Sequence, residues 1–239
     1  MPYTIEQLQK EILPLQGFKT SLQTTRIDIG LGPLNNAFPN HQFPIGAIHE
    51  FINDTINDVA ASSGFIAAIL APLMRNAGAV IWISSSRKVF PPALASFGIA
   101  PDHIIFIDLQ KEKDILWVME EALKCEGLAA VVGEMQELSF TSSRRLQLAV
   151  ESSKVTGFII RKNIRHINTN ACLSRWKITS LPSYLQGGMP GVGFPRWNVS
   201  LLKIRNGKPG SWQLEWRNGK FNHFSVIKPL SIPIQKKTG

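Results

Sequence analysis

The 239-residue sequence predicts an α/β fold, a parallel central sheet flanked by helices and extended by antiparallel C-terminal strands. Two observations carry this. Between Gly46 and about residue 165, apolar runs rich in Val, Ile, Ala and Leu alternate with helical periodicity, and those runs are continuous rather than alternating, as in parallel strands buried on both faces. After about residue 165 the pattern changes to single-residue alternation closed by Asn218-Gly219, a strong hairpin-turn signal.

The elements follow in order. Residues 4–13 place Ile5, Leu8 and Ile12 at helical spacing before Pro14 and Gly17 end the pattern, so a short N-terminal helix and linker are expected over 1–24. This helix packs on its own domain or in a groove on a partner, and the short linker favours the first. The core domain is placed at 25–224. Its parallel strands, about five in number, are read from AIHEFI, AVIWIS, IIFIDL, LAAVVG and TGFIIR, with helices at Val59–Ala77, Pro91–Phe97, Asp114–Cys125 and Thr141–Lys154 between them. The third helix carries Ile115, Met119, Ala122 and Leu123 on one stripe, as a crossover helix should. Cys172–Leu181, Trp197–Arg205, the stretch around Trp212–Arg217 and KFNHFSV are the candidates for the antiparallel strands. Trp212 and Trp216 share a strand face, which favours core packing over stacking on bases. Residues 225–239 read as a loosely held tail.

Composition bounds the function. A hydrophobic content of 44% supports a real core and excludes a disordered or fibrous class. The apolar stretch from Val59 to Met74 is interrupted by Ser62, Ser63, Gly64 and Pro72 and reads as short of a bilayer span. The start MPYTIEQLQKEI lacks a basic region followed by an apolar one, so a cytoplasmic protein without membrane contact is expected. Cys125 and Cys172 form no zinc spacing, and His41, His49, His103, His166 and His223 stand far apart, so no metal is expected. Net charge is +9 but unevenly spread, −5 over residues 1–153 and +14 over 154–239. Either a polyanionic partner meets the C-terminal third, or the charge is a solvated surface kept for solubility.

Tests for chemistry return mostly absences. A nucleotide-hydrolysing α/β domain carries GxxxxGK[ST] after its first strand, whereas AIHEFI runs into NDTINDVAASSGF, with no lysine between Lys19 and Lys88 and with Asp54 and Asp58 where an anion would sit. No nucleotide cofactor and no catalytic residue are expected. Glu134, after LAAVVG, lacks the rest of a Mg²⁺ site and reads as a surface or interface glutamate. The connector QGGMPGVGFP feeds a strand rather than a helix, so it reads as a loop and not a pyrophosphate cradle. Ser84, Ser85 and Ser86 lack a GxSxG context and read as a polar connector. The basic residues singled out are Arg161, Lys162 and Arg165 at the end of the last parallel strand, and Lys203, Arg205 and Lys208 in the hairpin region, as contacts for DNA or a protein partner.

FPIGAIHEF, AVIWISSSRKVFPPALASFGI, IIFIDLQKEKDILWVMEEALKCEGLAAVV, RRLQLAVE, TGFIIR and WNVSLLKIRNGKPGSWQLEW run in the order of a RecA-like core. The PPAL after a strand and the KIRNGKPGSWQLEW ending resemble the ImuA family of error-prone repair proteins, over roughly residues 25–217. The resemblance implies a RecA-like fold without a working ATPase. The position matching the water-activating glutamate of recombinases falls near Ser86, which cannot act as a carboxylate base. It further implies a non-catalytic accessory of SOS-induced translesion synthesis and mutagenesis. The implied partners are an ImuB-like Y-family polymerase homologue, an error-prone replicative-type polymerase and RecA, with single-stranded DNA as a further contact. Three alternatives stay open: an SOS cell-division inhibitor that lacks the phosphate loop, a DNA-binding RecA-like ATPase, and a plain DNA-binding module without a protein partner.

Overall fold

The computed structural model describes residues 27–75, 78–86, 88–164, 166–183 and 193–224. The expected N-terminal helix, Arg165, most of the QGGMPGVGFP connector and the tail lie outside them. Among the described residues, nine strands form one sheet in the order β3-β2-β4-β5-β1-β6-β7-β8-β9. They are β1 (Ile48–Ile52), β2 (Val80–Ser84), β3 (Ile104–Asp108), β4 (Ala130–Met135), β5 (Thr156–Arg161), β6 (Ser174–Leu181), β7 (Arg196–Ile204), β8 (Gly210–Arg217) and β9 (Lys220–His223). The helices of the same residues are α1 (Ile56–Met74), α2 (Pro91–Leu94), α3 (Glu112–Leu123) and α4 (Phe140–Ser153), and a 3₁₀ segment over Gly32–Ala37 precedes β1.

One expectation is corrected here. The strand read from Cys172–Leu181 as antiparallel is β6, and it pairs in parallel with β1, His49 opposite Ser174 and Phe51 opposite Trp176. The segment from Lys162 to Leu173 carries the chain back to the start of β1 without a helix among its described residues, and Leu173 N–H donates to Ile48 O at 2.9 Å. The parallel set is therefore β3, β2, β4, β5, β1 and β6, one strand more than the sequence pattern suggests. Strands β7 to β9 then continue it as an antiparallel meander. Asn218 and Gly219, both at positive φ, make its last turn as expected.

Helix α1 lies on one face, where Phe65, Ile66, Ile69 and Leu70 are fully buried among Phe51, Phe158, Trp176 and Trp197. Each such side chain contributes roughly 1.5–3 kcal/mol on burial. By length and composition α1 could cross a membrane, contrary to the shorter span read from the sequence, but 61% of its most apolar window is buried in the core. Helices α3 and α4 cover the opposite face, around Ile115, Met119, Leu123, Leu146 and Val150. Gly157 leaves room for the Ile48 side chain of β1 and for Leu123 of α3, since a Cβ there would fall 2.4 Å from Ile48 Cδ1 and 3.3 Å from Leu123 Cδ2.

Candidate functional site

The C-terminal end of β1 is where a RecA-like ATPase would build its phosphate loop. Here Asn53, Asp54 and Thr55 join Ile52 to Ile56 directly. Buried Asn53 donates to Phe51 O at 3.1 Å and Arg161 O at 2.9 Å, and accepts from Ser62 Oγ at 2.6 Å, which locks the junction to β5 and α1. Thr55 caps the helix: Asp58 N–H donates to Thr55 Oγ1 at 3.2 Å, while Asp58 Oδ2 accepts from Thr55 N at 3.0 Å and from Thr55 Oγ1 at 2.9 Å. This reciprocal box fills the first turn of α1 with the protein's own carboxylate, at the place where free amides would hold a phosphate.

Glu134 corrects the surface reading. It is buried at the end of β4, where its Oε1 accepts from Trp82 Nε1 at 2.8 Å and its Oε2 faces the ammonium of Lys162. A central strand placed between β2 and β5 buries its side chains on both faces, so a carboxylate there needs internal partners. Trp82 and Lys162 supply them.

The basic residues singled out from sequence do not form one cluster. Arg161 is buried in the sheet: Nη1 donates to Glu50 Oε1 and to Asn168 Oδ1, both at 3.0 Å, and Nε to Gln136 O at 3.1 Å. A side chain so enclosed has no face left for a nucleic acid, because its register opposite Ile52 points it inward beneath α4. Lys162 serves Glu134. Lys203 Nζ donates to Asn170 O at 3.0 Å and Arg205 Nη2 to Ala171 O at 3.4 Å, so both line the α4 side of the sheet and not a distant hairpin tip. Lys208 is exposed in the β7–β8 turn, its backbone N–H bonded to Ala37 O at 2.8 Å. Together Arg161, Glu50, Arg175 and Lys203 form a charged seam across β5, β1, β6 and β7, in which Arg175 Nε reaches Glu50 Oε2 at 2.5 Å. Burial and the neighbouring guanidinium of Arg175 hold the Lys203 ammonium below its usual range.

At the C-terminal end of the sheet an open groove of about 770 Å³ lies between α1, the segment Lys88–Phe97 and the ends of β6 and β7. Its rim carries Ile56, Phe90 and Phe194, exposed at 64, 67 and 41%, and Trp197, Phe97 and Leu94 form its wall. Ligands of open α/β sheets gather at this end, and apolar surface of this kind marks contact with other molecules.

No family model matches the chain. Over 208 residues it is 31% identical to Protein ImuA of Caulobacter vibrioides, covering 82% of this chain and 85% of that protein. The chain belongs to the ImuA family. It is also similar to Cell division inhibitor SulA of Photorhabdus laumondii, 29% identical over 119 residues, 48% of this chain and 67% of the relative. A crystal structure of the RadB recombinase shares the fold with a TM-score of 0.57 at 12% identity, covering 83% of this chain and all of that one. The fold of this ImuA-family protein is thus RecA-like, as expected.

Within this ImuA-family chain, sequence reasoning did not find Glu50, the anion that holds Arg161 and Arg175 together, since a lone acid inside AIHEFI looks like an ordinary polar position. The signal that could have found it is an acid inside AIHEFI, an otherwise largely apolar run read as a strand buried on both faces, where a carboxylate needs an internal cation. Asn53 and Ser62 were likewise silent, their pairing being legible once β1 and α1 are packed.

Proposed function

We propose that this ImuA-family protein is a non-catalytic accessory of SOS-induced translesion synthesis and mutagenesis, acting in the cytoplasm through protein contacts. Residues 25–224 are its working domain. Its partners are an ImuB-like Y-family polymerase homologue, an error-prone replicative-type polymerase and RecA. The match to Protein ImuA over 82% of the chain carries this reading. The self-capped α1 terminus supports the absence of nucleotide hydrolysis, since a phosphate would have to displace Asp58 from Thr55. The groove rimmed by Ile56, Phe90 and Phe194 supports action through protein surfaces.

The test is genetic and biochemical. Deleting the gene is expected to abolish damage-induced mutagenesis, and the purified chain is expected to show no ATP-dependent rise in melting temperature with Mg²⁺. A ligand at ~100 times its dissociation constant would add ~2.7 kcal/mol, several degrees for a chain of this size. Unchanged mutagenesis, or a clear shift with ATP, overturns the reading. The SulA likeness favours a second reading, a cell-division inhibitor. Under it, expressing the chain would produce filamentous cells, whereas the mutagenesis reading expects normal cell length.

A further inference from the structure

The α3 and α4 layer stops at β1. These helices lie on β2, β4, β5 and β1; beyond them no helix among the described residues covers the same face of β6, β7 and β8, and the segment Asn168–Ala171 borders it at the Lys203 end. Register fixes what stands there. Lys177 lies beside Ser200, which lies beside Ser211, and Thr179 beside Asn198 and Gln213. The two serine hydroxyls bond at 2.9 Å. The alternate residues Trp176, Ile178, Val199 and Leu214 are buried against α1, so the alternation of the strands is fully used and this face holds no apolar set waiting for a covering layer.

Cations frame this polar strip. Lys203 and Arg205, bonded to the carbonyls of Asn170 and Ala171, stand at one end, Arg196 and Arg217 at the other, and Lys177 between them, while Arg175 beside Lys203 is spent on Glu50. A slip in the β6–β7 register makes the arrangement: Trp176 faces Leu201 but Arg175 faces Lys203, so Leu202 is the extra residue and is 45% exposed. The bulge shifts the alternation of β7 by one, which brings Lys203 and Arg205 to the open side instead of Leu202 and Ile204. The facing carboxylates are fewer. Glu50 is shared by Arg161 and Arg175, Asp54 pairs with Lys177 at 2.6 Å, and Glu215 pairs with Arg196 at 2.7 Å. Six cations, Arg175, Lys177, Arg196, Lys203, Arg205 and Arg217, thus stand against three carboxylates, and a surplus of positive charge remains.

From this arrangement we infer that the open face of β6, β7 and β8 is a binding platform for the phosphodiester backbone of single-stranded nucleic acid. Hydroxyl and amide donors in rows about 4.8 Å apart, flanked by guanidinium and ammonium groups, suit repeated phosphates. A protein interface of this size would centre on apolar anchors, which the strip lacks. At its edge, Arg217 lies 5.0 Å from the Phe194 ring and Arg196 lies 4.7 Å from the Phe224 ring, flat surfaces on which bases can stack. A sheet face presents no protruding helix for a duplex groove, which favours the single strand. This surface lies on the face of the sheet away from α1, meets the apolar groove of the proposed function at Phe194 and Arg196, and does not depend on that reading.

The test is fluorescence anisotropy with a labelled oligothymidylate of about 20 nucleotides, long enough to cross the strip, titrated at several salt concentrations. Binding by the full chain is expected to weaken linearly in log–log form. The triple variant Lys177→Ala, Lys203→Ala, Arg217→Ala is expected to flatten the slope by about two units, ~0.7 for each phosphate that is no longer neutralised. A control triple on the helices, Lys111→Ala, Lys113→Ala, Arg144→Ala, removes equal charge and is expected to leave the slope in place. No binding at the lowest salt, or equal losses in both triples, overturns the inference. So does displacement of the oligonucleotide by polyglutamate at equal charge, which would point to an acidic protein instead. Should the face triple lose its fold, Asp54→Asn serves: releasing Lys177 is expected to tighten binding about two- to threefold, and unchanged or weaker binding counts against the platform.

Discussion

His49 occupies the interior of β1, fully buried, with Nδ1 2.7 Å from Ser174 Oγ and Nε2 2.7 Å from Pro44 O. Phe43 lies over its ring at 4.4 Å. Burial lowers its pKa to about 4, outweighing the opposing hydrogen bond to Pro44. The folded state therefore binds fewer protons than the unfolded chain between about pH 4 and the ordinary 6.5. Stability contributed by neutral His49 is complete above 6.5 and is lost as pH falls towards 4, a change on the order of 3 kcal/mol. A melting series from about pH 7.5 to about 4.5, which brackets that window, is expected to fall steadily in the wild type. In His49→Gln, which keeps a polar partner for Ser174, the same series is expected to be flatter across that window. An equally steep fall in the variant would assign the acid lability to carboxylates instead. At this scale the sequence was least informative: His49, Glu50, Asn53 and Glu134 are buried polar residues whose side-chain partners lie 9 to 125 positions away along the chain. Residue type and spacing carry no trace of such pairs.

Elements were far more legible. All nine strands coincide with apolar or alternating runs visible in the sequence, because strand period and helix period leave different marks on the apolar pattern. The direction of β6 was not visible. Its pattern, buried at Ser174, Trp176 and Ile178 and partly exposed between, is that of a one-sided strand, and a one-sided strand at the border of a helical layer can run either way. Its position beside β1 is held by the charged seam, in which Glu50 is wholly buried between two guanidinium groups. Removing that anion leaves Arg161 and Arg175 enclosed without a counter-charge, which costs roughly 3–5 kcal/mol. Glu50→Gln is expected to lower the melting temperature by about 10 °C, at ~2–4 °C per kcal/mol for a chain of this length. Glu215→Gln, which breaks the more exposed pair with Arg196, is expected to cost under ~1 kcal/mol. Equal shifts in the two variants would mean that the seam contributes nothing beyond a surface ion pair.

Across the whole molecule, the sheet places two unlike surfaces on opposite sides of β6 and β7. The α1 side opens into an apolar groove rimmed by Ile56, Phe90 and Phe194, and the other side is a polar strip framed by Lys177, Lys203 and Arg217. The charge split in the sequence hinted at the second, since a net of +14 falls after residue 153. It did not show which cations are consumed inside, as Arg161 and Lys162 are. Nothing in the sequence announced the groove, because Ile56, Phe90 and Phe194 come from three separate segments and meet only in the fold. Because the sheet separates the two surfaces, their functions should be separable by substitution. Ile56→Lys with Phe90→Asp changes exposed side chains alone, so a melting temperature within a few degrees of wild type is expected. Captured from DNA-damaged cells, that variant is expected to lose an ImuB-like partner while retaining the oligonucleotide, whereas the variant lacking Lys177, Lys203 and Arg217 should retain the partner and lose the oligonucleotide. If either variant loses both ligands while staying folded, the two faces form one continuous site, and the assignment of separate roles to the two sides of the sheet fails.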